Sequence, residues 1–173
     1  MSIMKKIILI AALALGFAVA ATAENPIEKK FGGKTRALGL RGGYGFELSY
    51  QHSLGENFVE ADLGLFGYDF SINAVATYNW MLAQPQWTSR GDWGFYAGAG
   101  AAAGLNFNEG ARGVNIAAVG QIGLEYTFWF PLQLSLDIRP QVGVHIGEAP
   151  FFSATPTNLG LSAIPTLAVR YRF

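Results

Sequence analysis

The chain ends on an alternation. Leu161, Ala163, Pro165, Leu167, Val169, Tyr171 and Phe173 take every second position, with Ser162, Thr166, Ala168, Arg170 and Arg172 between them and Ile164 the one large apolar exception. A period of two puts one apolar and one mostly polar face on a β-strand. Such a strand left at the edge of an open sheet invites pairing with other chains. A closed sheet has no edge, so this ending constrains the chain towards a β-barrel more strongly than any other feature does.

The same rhythm recurs upstream. Thr35–Gly43 reads as a first strand, with Leu38 and Leu40 opposite Arg41, and Gly42-Gly43-Tyr44-Gly45 as a turn. Phe46, Leu48 and Tyr50 alternate with Glu47, Ser49 and Gln51. A turn at Leu54-Gly55-Glu56-Asn57 leads to Val59, Ala61, Leu63 and Leu65 opposite Glu60, Asp62 and Gly64. Tyr68–Leu82 is the fourth strand, Trp93–Phe107 the fifth and Val114–Phe128 the sixth, with 83–92 and 108–113 as loops. The Ala/Gly run Ala97–Gly104 is read as strand, because glycine costs about 1 kcal/mol in a helix. After Trp129-Phe130-Pro131, the seventh strand sets Leu132, Leu134, Leu136 and Ile138 against Gln133, Ser135, Asp137 and Arg139 and runs on to about Ile146. A Pro-containing loop over 147–158 precedes the last strand. The expectation is an all-β, eight-stranded, antiparallel, up-and-down barrel. An even count returns both chain ends to one rim, and each strand meets or approaches the ~9–11 residues that cross a bilayer at a tilt of about 45°.

Two barrels fit alternating strands. A soluble one turns its apolar face inward; a membrane barrel turns it outward. The polar faces carry Arg41, Glu47, Glu60, Asp62, Glu125, Asp137, Arg139, Arg170 and Arg172, many of them in mid-strand. Aromatics gather near strand ends, among them Phe46, Trp80, Trp93, Tyr126, Phe128, Trp129, Tyr171 and Phe173, as two interfacial belts require. The terminal Phe and these belts favour the membrane arrangement. An eight-stranded barrel is only wide enough for its own side chains, and unpaired buried charge is costly. Arg41, Glu47, Glu60, Asp62, Glu125, Asp137, Arg139 and Arg170 are therefore expected to form a salt-bridged plug, with Arg172 at the rim.

The other end of the chain agrees. Lys5 and Lys6 precede an apolar run from Ile7 to Ala20, and Ala21-Thr22-Ala23 is a small-x-small cleavage site. Residues 1–23 read as a secretory signal peptide, too short for a membrane anchor. Residues 24–34 read as a short polar leader and 35–173 as the single barrel domain. Of the 12 Lys and Arg, Lys5 and Lys6 leave with the signal, against 12 Asp and Glu that stay, so the mature chain is slightly acidic. No nucleic-acid footprint or polybasic patch appears. With no cysteine there is no disulfide framework or lipid attachment. A chain that is 51% hydrophobic but lacks a long apolar helix in its mature part points to strands, and its 22 glycines suit turns and close approaches.

The segments GYGFELSYQ, GLEY, LQLSLDIRP and the final VRYRF resemble small bacterial outer-membrane β-barrel proteins of the OmpA-barrel/OmpX size class, and the Bacteroidetes-type family in particular. The resemblance covers the whole mature chain. It implies Sec-dependent export, residence in outer-membrane lipid, both chain ends on the periplasmic side, and a last strand whose Tyr171 and Phe173 are read by the barrel-assembly machinery. The 83–92 loop departs from the pattern, being longer than the usual periplasmic turn.

No enzyme is expected. His52 lies on the apolar parity with Ser53 facing the other way, and Asp137 is roughly 26 Å along the strand from the inward-parity His145. The family of lipid A deacylases has His and Ser two residues apart on the lipid face, a spacing absent here. No metal or cofactor pattern is present. The expected role is structural or surface-associated. The alternatives are an adhesin or ligand-binding barrel using the outer loops, where Phe151 and Phe152 form an apolar pair that could meet a surface ligand or dip into the membrane interface, and a narrow pore.

Overall fold

The computed structural model describes residues 34–43, 45–66, 71–107, 109, 112–147, 151–153 and 165–173. The expected signal segment, nearly all of the expected leader, Tyr44, Tyr68 and the first part of the expected last strand lie outside the described residues. Ten strands follow in order: β1 (Arg36–Gly42), β2 (Phe46–Leu54), β3 (Asn57–Phe66), β4 (Ser71–Ala83), β5 (Asp92–Asn106), β6 (Gly113–Thr127), β7 (Leu132–Ile138), β8 (Gln141–Gly147), β9 (Phe151–Ser153) and β10 (Thr166–Arg172).

They make eight staves of a closed, antiparallel, up-and-down barrel. β1 to β6 pair in chain order, β6 pairs with β7 and β8, and β10 lies between β7 and β1. β7 and β8 are one stave. Ile122 faces Ile138 and Val119 faces Gln141, so the register along β6 does not slip across the gap. The interruption is Pro140, which has no N–H for the ladder; its carbonyl still accepts from the Gly120 N–H at 2.9 Å. β9 and β10 share the last stave, on the ladders of β8 and β7 respectively. The expected 147–158 loop thus contains a short strand at Phe151–Ser153, paired antiparallel with His145–Gly143.

Closure runs to the last residue. The Phe173 N–H donates to the Arg36 carbonyl at 2.9 Å and the Arg36 N–H to the Phe173 carbonyl at 3.2 Å. Both ends of the barrel therefore sit at one rim, called here the terminal rim; the turns 55–56, 84–91 and 128–131 share it. At 55–56, Gly55 takes φ +68°, the positive first turn position of a tight hairpin, and Leu54 pairs directly with Asn57. The opposite rim is the far rim.

The barrel is inside-out relative to a soluble protein. Leu40 is 61% exposed and Phe46 78%, whereas Arg170 is 0% and Glu60 1% exposed. Alternation fixes which residues share a face, and in this barrel the polar face is the inner one. The wall is also uneven. β5 and β6 have 15 residues each and β4 has 13, against seven in β1 and nine in β2.

Candidate functional site in the barrel interior

Each strand delivers its polar residues inward at every second position, and register decides which ones meet. Arg41 on β1 stands directly across from Glu47 on β2, Ser49 across from Asp62, and Gln51 across from Glu60. From the other side of the seam β10 brings Arg170, and β7 brings Asp137 with Arg139 just beyond its end.

Glu60 is the hub. Its Oε1 accepts from Arg41 Nη1 at 2.6 Å and from Gln121 Nε2 at 3.2 Å, and its Oε2 accepts from Gln51 Nε2 at 2.8 Å. Arg170 Nη2 lies 2.9 Å from the same Oε2 as an ion pair, although its angle is outside hydrogen-bond geometry. Arg41 extends the network: its Nη2 donates to Asp137 Oδ1 and, at 2.7 Å, to Thr166 Oγ1, and its Nε lies 3.5 Å from Glu47. Arg139 spans two further acids, donating from Nη1 to Asp62 Oδ2 at 2.5 Å and from Nη2 to Glu47 Oε2. Arg170 also donates to Ser49 Oγ at 2.9 Å and Ser135 Oγ at 2.8 Å.

Neutral groups tie in the remaining wall. Tyr96 Oη on β5 donates to Asp137 Oδ2 at 3.0 Å. Thr77 on β4 donates to Gln121 at 2.8 Å, and Asn79 to Thr77 at 3.0 Å. Gln133 donates to Glu125 at 2.9 Å. Gly123 makes the Tyr96 contact sterically feasible, because a Cβ there would lie 2.6 Å from the Tyr96 hydroxyl oxygen. Below it, Phe58 packs edge-on against Tyr96 with ring centroids 5.1 Å apart. The connected groups come from all eight staves.

Taking an ion out of water costs several kcal/mol even after relaxation, and only close, well-formed pairing offsets it. Five buried acids (Glu47, Glu60, Asp62, Glu125, Asp137) face four buried arginines (Arg41, Arg139, Arg170, Arg172), so the buried formal charge balances to within one unit. Arg172 closes the terminal rim, donating to the Lys34 carbonyl at 2.8 Å.

The structure buries all eight residues proposed for the plug. It joins Arg41, Glu47, Glu60, Asp62, Asp137, Arg139 and Arg170 in one cluster and sets Glu125 with Gln133. Tyr171 and Phe173 stand outward and stacked, centroids 6.5 Å apart. Phe151 and Phe152 fall in β9, and their side chains lie outside the described residues. Sequence reasoning missed Tyr96, Thr166, Ser49 and Ser135 as members of the network. Strand parity could have found all four, since each shares a face with a plug residue on its own or a neighbouring strand.

For chemistry, Ser49 and Ser135 accept hydrogen bonds from Arg170, a permanently charged group that offers no base to activate a hydroxyl. His145 Nδ1 lies 2.7 Å from Asn115 Oδ1, its ladder partner near the far rim. Among the described residues no group of three or more His, Cys, Asp or Glu is placed to hold a metal ion. No family model, curated protein or solved structure matches the chain.

Proposed function

We propose that this eight-stranded barrel is an integral outer-membrane protein with a structural or surface role and a closed, polar interior. The observation that carries the reading is the inversion of its two faces. Large aliphatic side chains on every stave point outward and are exposed, while the charged network is sealed within. In water such an apolar girdle far exceeds the patches that monomeric proteins tolerate. In a bilayer it is the favoured surface, and a closed sheet leaves no backbone group unsatisfied.

The rest of the proposal follows from that placement. Residues 1–23 direct export, the strand ending at Tyr171 and Phe173 is delivered to the barrel-assembly machinery, and the terminal rim faces the periplasm. The interior is a plug rather than a channel, because side chains from all eight staves meet across it. The network holds the wall and performs no reaction.

The test is electrophoresis of membrane-extracted protein with and without boiling. A folded barrel migrates differently from its heated form. A water-soluble protein with no heat-dependent shift overturns the membrane reading. Large, steady single-channel currents in a planar bilayer would overturn the plug.

A further inference from the structure

Among the described residues the two rims are chemically unlike. The sequence has four tryptophans, and all of them lie at the terminal rim: Trp80 near the end of β4, Trp87 in the 84–91 turn, Trp93 near the start of β5 and Trp129 in the 128–131 turn. Near the far rim the exposed aromatics described are Phe46 and Phe107, which carry no polar atom on the ring.

The 84–91 turn is built to present this surface. At the end of β4, Met81 faces Tyr96 but Ala83 faces Phe95, so one extra residue bulges and re-aims the chain. The turn folds back onto the outer wall. Trp87 packs tilted against Trp93 with centroids 5.4 Å apart, Trp93 tilted against Tyr126 at 4.7 Å, and Tyr126 edge-on against Phe128 at 4.6 Å. Polar bonds fix it: Trp93 Nε1 donates to Thr88 Oγ1 at 3.2 Å, and the Tyr126 hydroxyl to the Arg90 carbonyl at 2.5 Å. Gly91 holds φ +85°, and a Cβ there would lie 2.7 Å from the Thr127 carbonyl oxygen, so the chain passes beneath Tyr126 only with glycine. The result places the Arg90 guanidinium over the Trp129 ring, 5.8 Å from its centroid, at the exposed end of the aromatic row. Trp129 is 65% exposed and Trp87 60%.

We infer that Arg90, seated on Trp129, is a binding site for the phosphate of a phospholipid headgroup, and that the ordered 84–91 turn is the foot that positions it. Three observations point to this occupant. The ring row lies on the same outward face of β6 as Ile116, Ile122 and Leu124, so its neighbour is whatever covers the girdle. Indole and phenol rings, apolar with one hydrogen-bonding atom, suit the level where acyl chains give way to headgroups. A guanidinium flanked by aromatic surface at that level is weakly hydrated, and its planar fork can donate two parallel hydrogen bonds to a pair of phosphate oxygens. Besides the buried Arg172, the terminal rim carries Lys34 and Arg36, and Lys34 likewise lies over an exposed ring, 5.8 Å from the centroid of Tyr171. This inference rests on the membrane reading above.

The tryptophans are the reporters. The protein is reconstituted in phosphatidylcholine vesicles containing a minor fraction of phosphatidylglycerol brominated near the carbonyl end of its chains, and tryptophan quenching is compared with the reverse mixture, in which phosphatidylcholine carries the bromine. Quenching should correspond to phosphatidylglycerol enriched about two- to fivefold over its bulk fraction. Arg90→Lys should keep most of that excess, Arg90→Gln should lose it, and both should keep the wild-type heat-dependent gel shift. Arg112→Gln, at the far rim, should change nothing. Quenching in proportion to bulk composition, an excess that survives in Arg90→Gln, or an equal loss in Arg112→Gln overturns the site while leaving the membrane reading intact. Absence of quenching by either brominated lipid overturns both.

Discussion

The interior has two halves made in different ways. One half, from β1, β2, β3, β7 and β10, supplies Arg41, Glu47, Glu60, Asp62, Asp137 and Arg170, with Arg139 between β7 and β8. The other, the far-rim part of β4, β5, β6 and β8, supplies Gly100, Ala102, Gly104, Ala117, Val119 and Gly143, with Val75, Ala102 and Val119 as a small apolar core. β4 has no charged residue at all. The difference shows how a narrow barrel is filled. Long arginines and acids from one wall need volume, and the facing wall yields part of it where Gly100, Ala102, Gly104, Ala117 and Gly143 stand on its inner face. The charged half is held by directed bonds, the small half by close backbone approach, and the two should respond differently to substitution.

The largest expected effect is at the hub. Glu60→Leu leaves Arg41 and Arg170 each short of a buried carboxylate and should destabilise the barrel by about 3–5 kcal/mol, read as a lower urea midpoint in lipid or detergent. A loss no greater than that of a single neutral bond would remove Glu60 from the centre of the comparison. On the small wall the sharpest probe is Gly100→Val. Even a bare Cβ there would lie 2.7 Å from the Thr77 Cα, a backbone atom that cannot swing away. Overpacking of this kind costs about 1–3 kcal/mol, and the same midpoint measurement checks it.

Smaller effects sharpen the contrast. Tyr96→Phe keeps the ring against Phe58 and deletes only the bond to Asp137, so a loss of about 1 kcal/mol is expected. If it matched Glu60→Leu, the neutral bridge between the halves would matter as much as the ion pairs. Gly104→Ala is the smallest. The nearest atoms to its Cβ would be the Ile72 carbonyl at 3.2 Å and the Asn73 Cβ at 3.5 Å, so the change should stay within about 0.5 kcal/mol of wild type. A large loss there would mean that the small wall is as tightly packed near the rim as at Gly100.

Much of this was legible from alternation. A period of two puts Glu47, Ser49 and Gln51 on one side of their strand and Leu48 and Tyr50 on the other, and counting turns yields eight staves. The same parity placed Arg170 inward before any partner was known. Alternation is a local property, fixed by the pleat of each strand, so a reading of short windows recovers it. Tyr96 escaped that reading because it carries no charge, whereas strand parity aims its hydroxyl at Asp137. The short β9 escaped because 147–158 has the composition of a loop, and its pairing depends on how the chain turns back after β8. Pro140 was visible in the sequence, but its effect, a gap in one ladder without a slip in register, depends on Gly120 across the strand.

The sequence by itself determined the strand rhythm, the face each side chain shares, and the placement of all four tryptophans near strand ends or in turns that closure gathers at one rim. Only the tertiary structure decided which charge meets which. Arg41 finds Asp137 across 96 positions of chain and Arg139 finds Glu47 across 92. Those partners are chosen by the stagger with which the sheet closes, and no local pattern carries that information. The same holds for Arg90 and Trp129, which lie on separate turns and meet because a bulge at the end of β4 bends the intervening segment back along the wall.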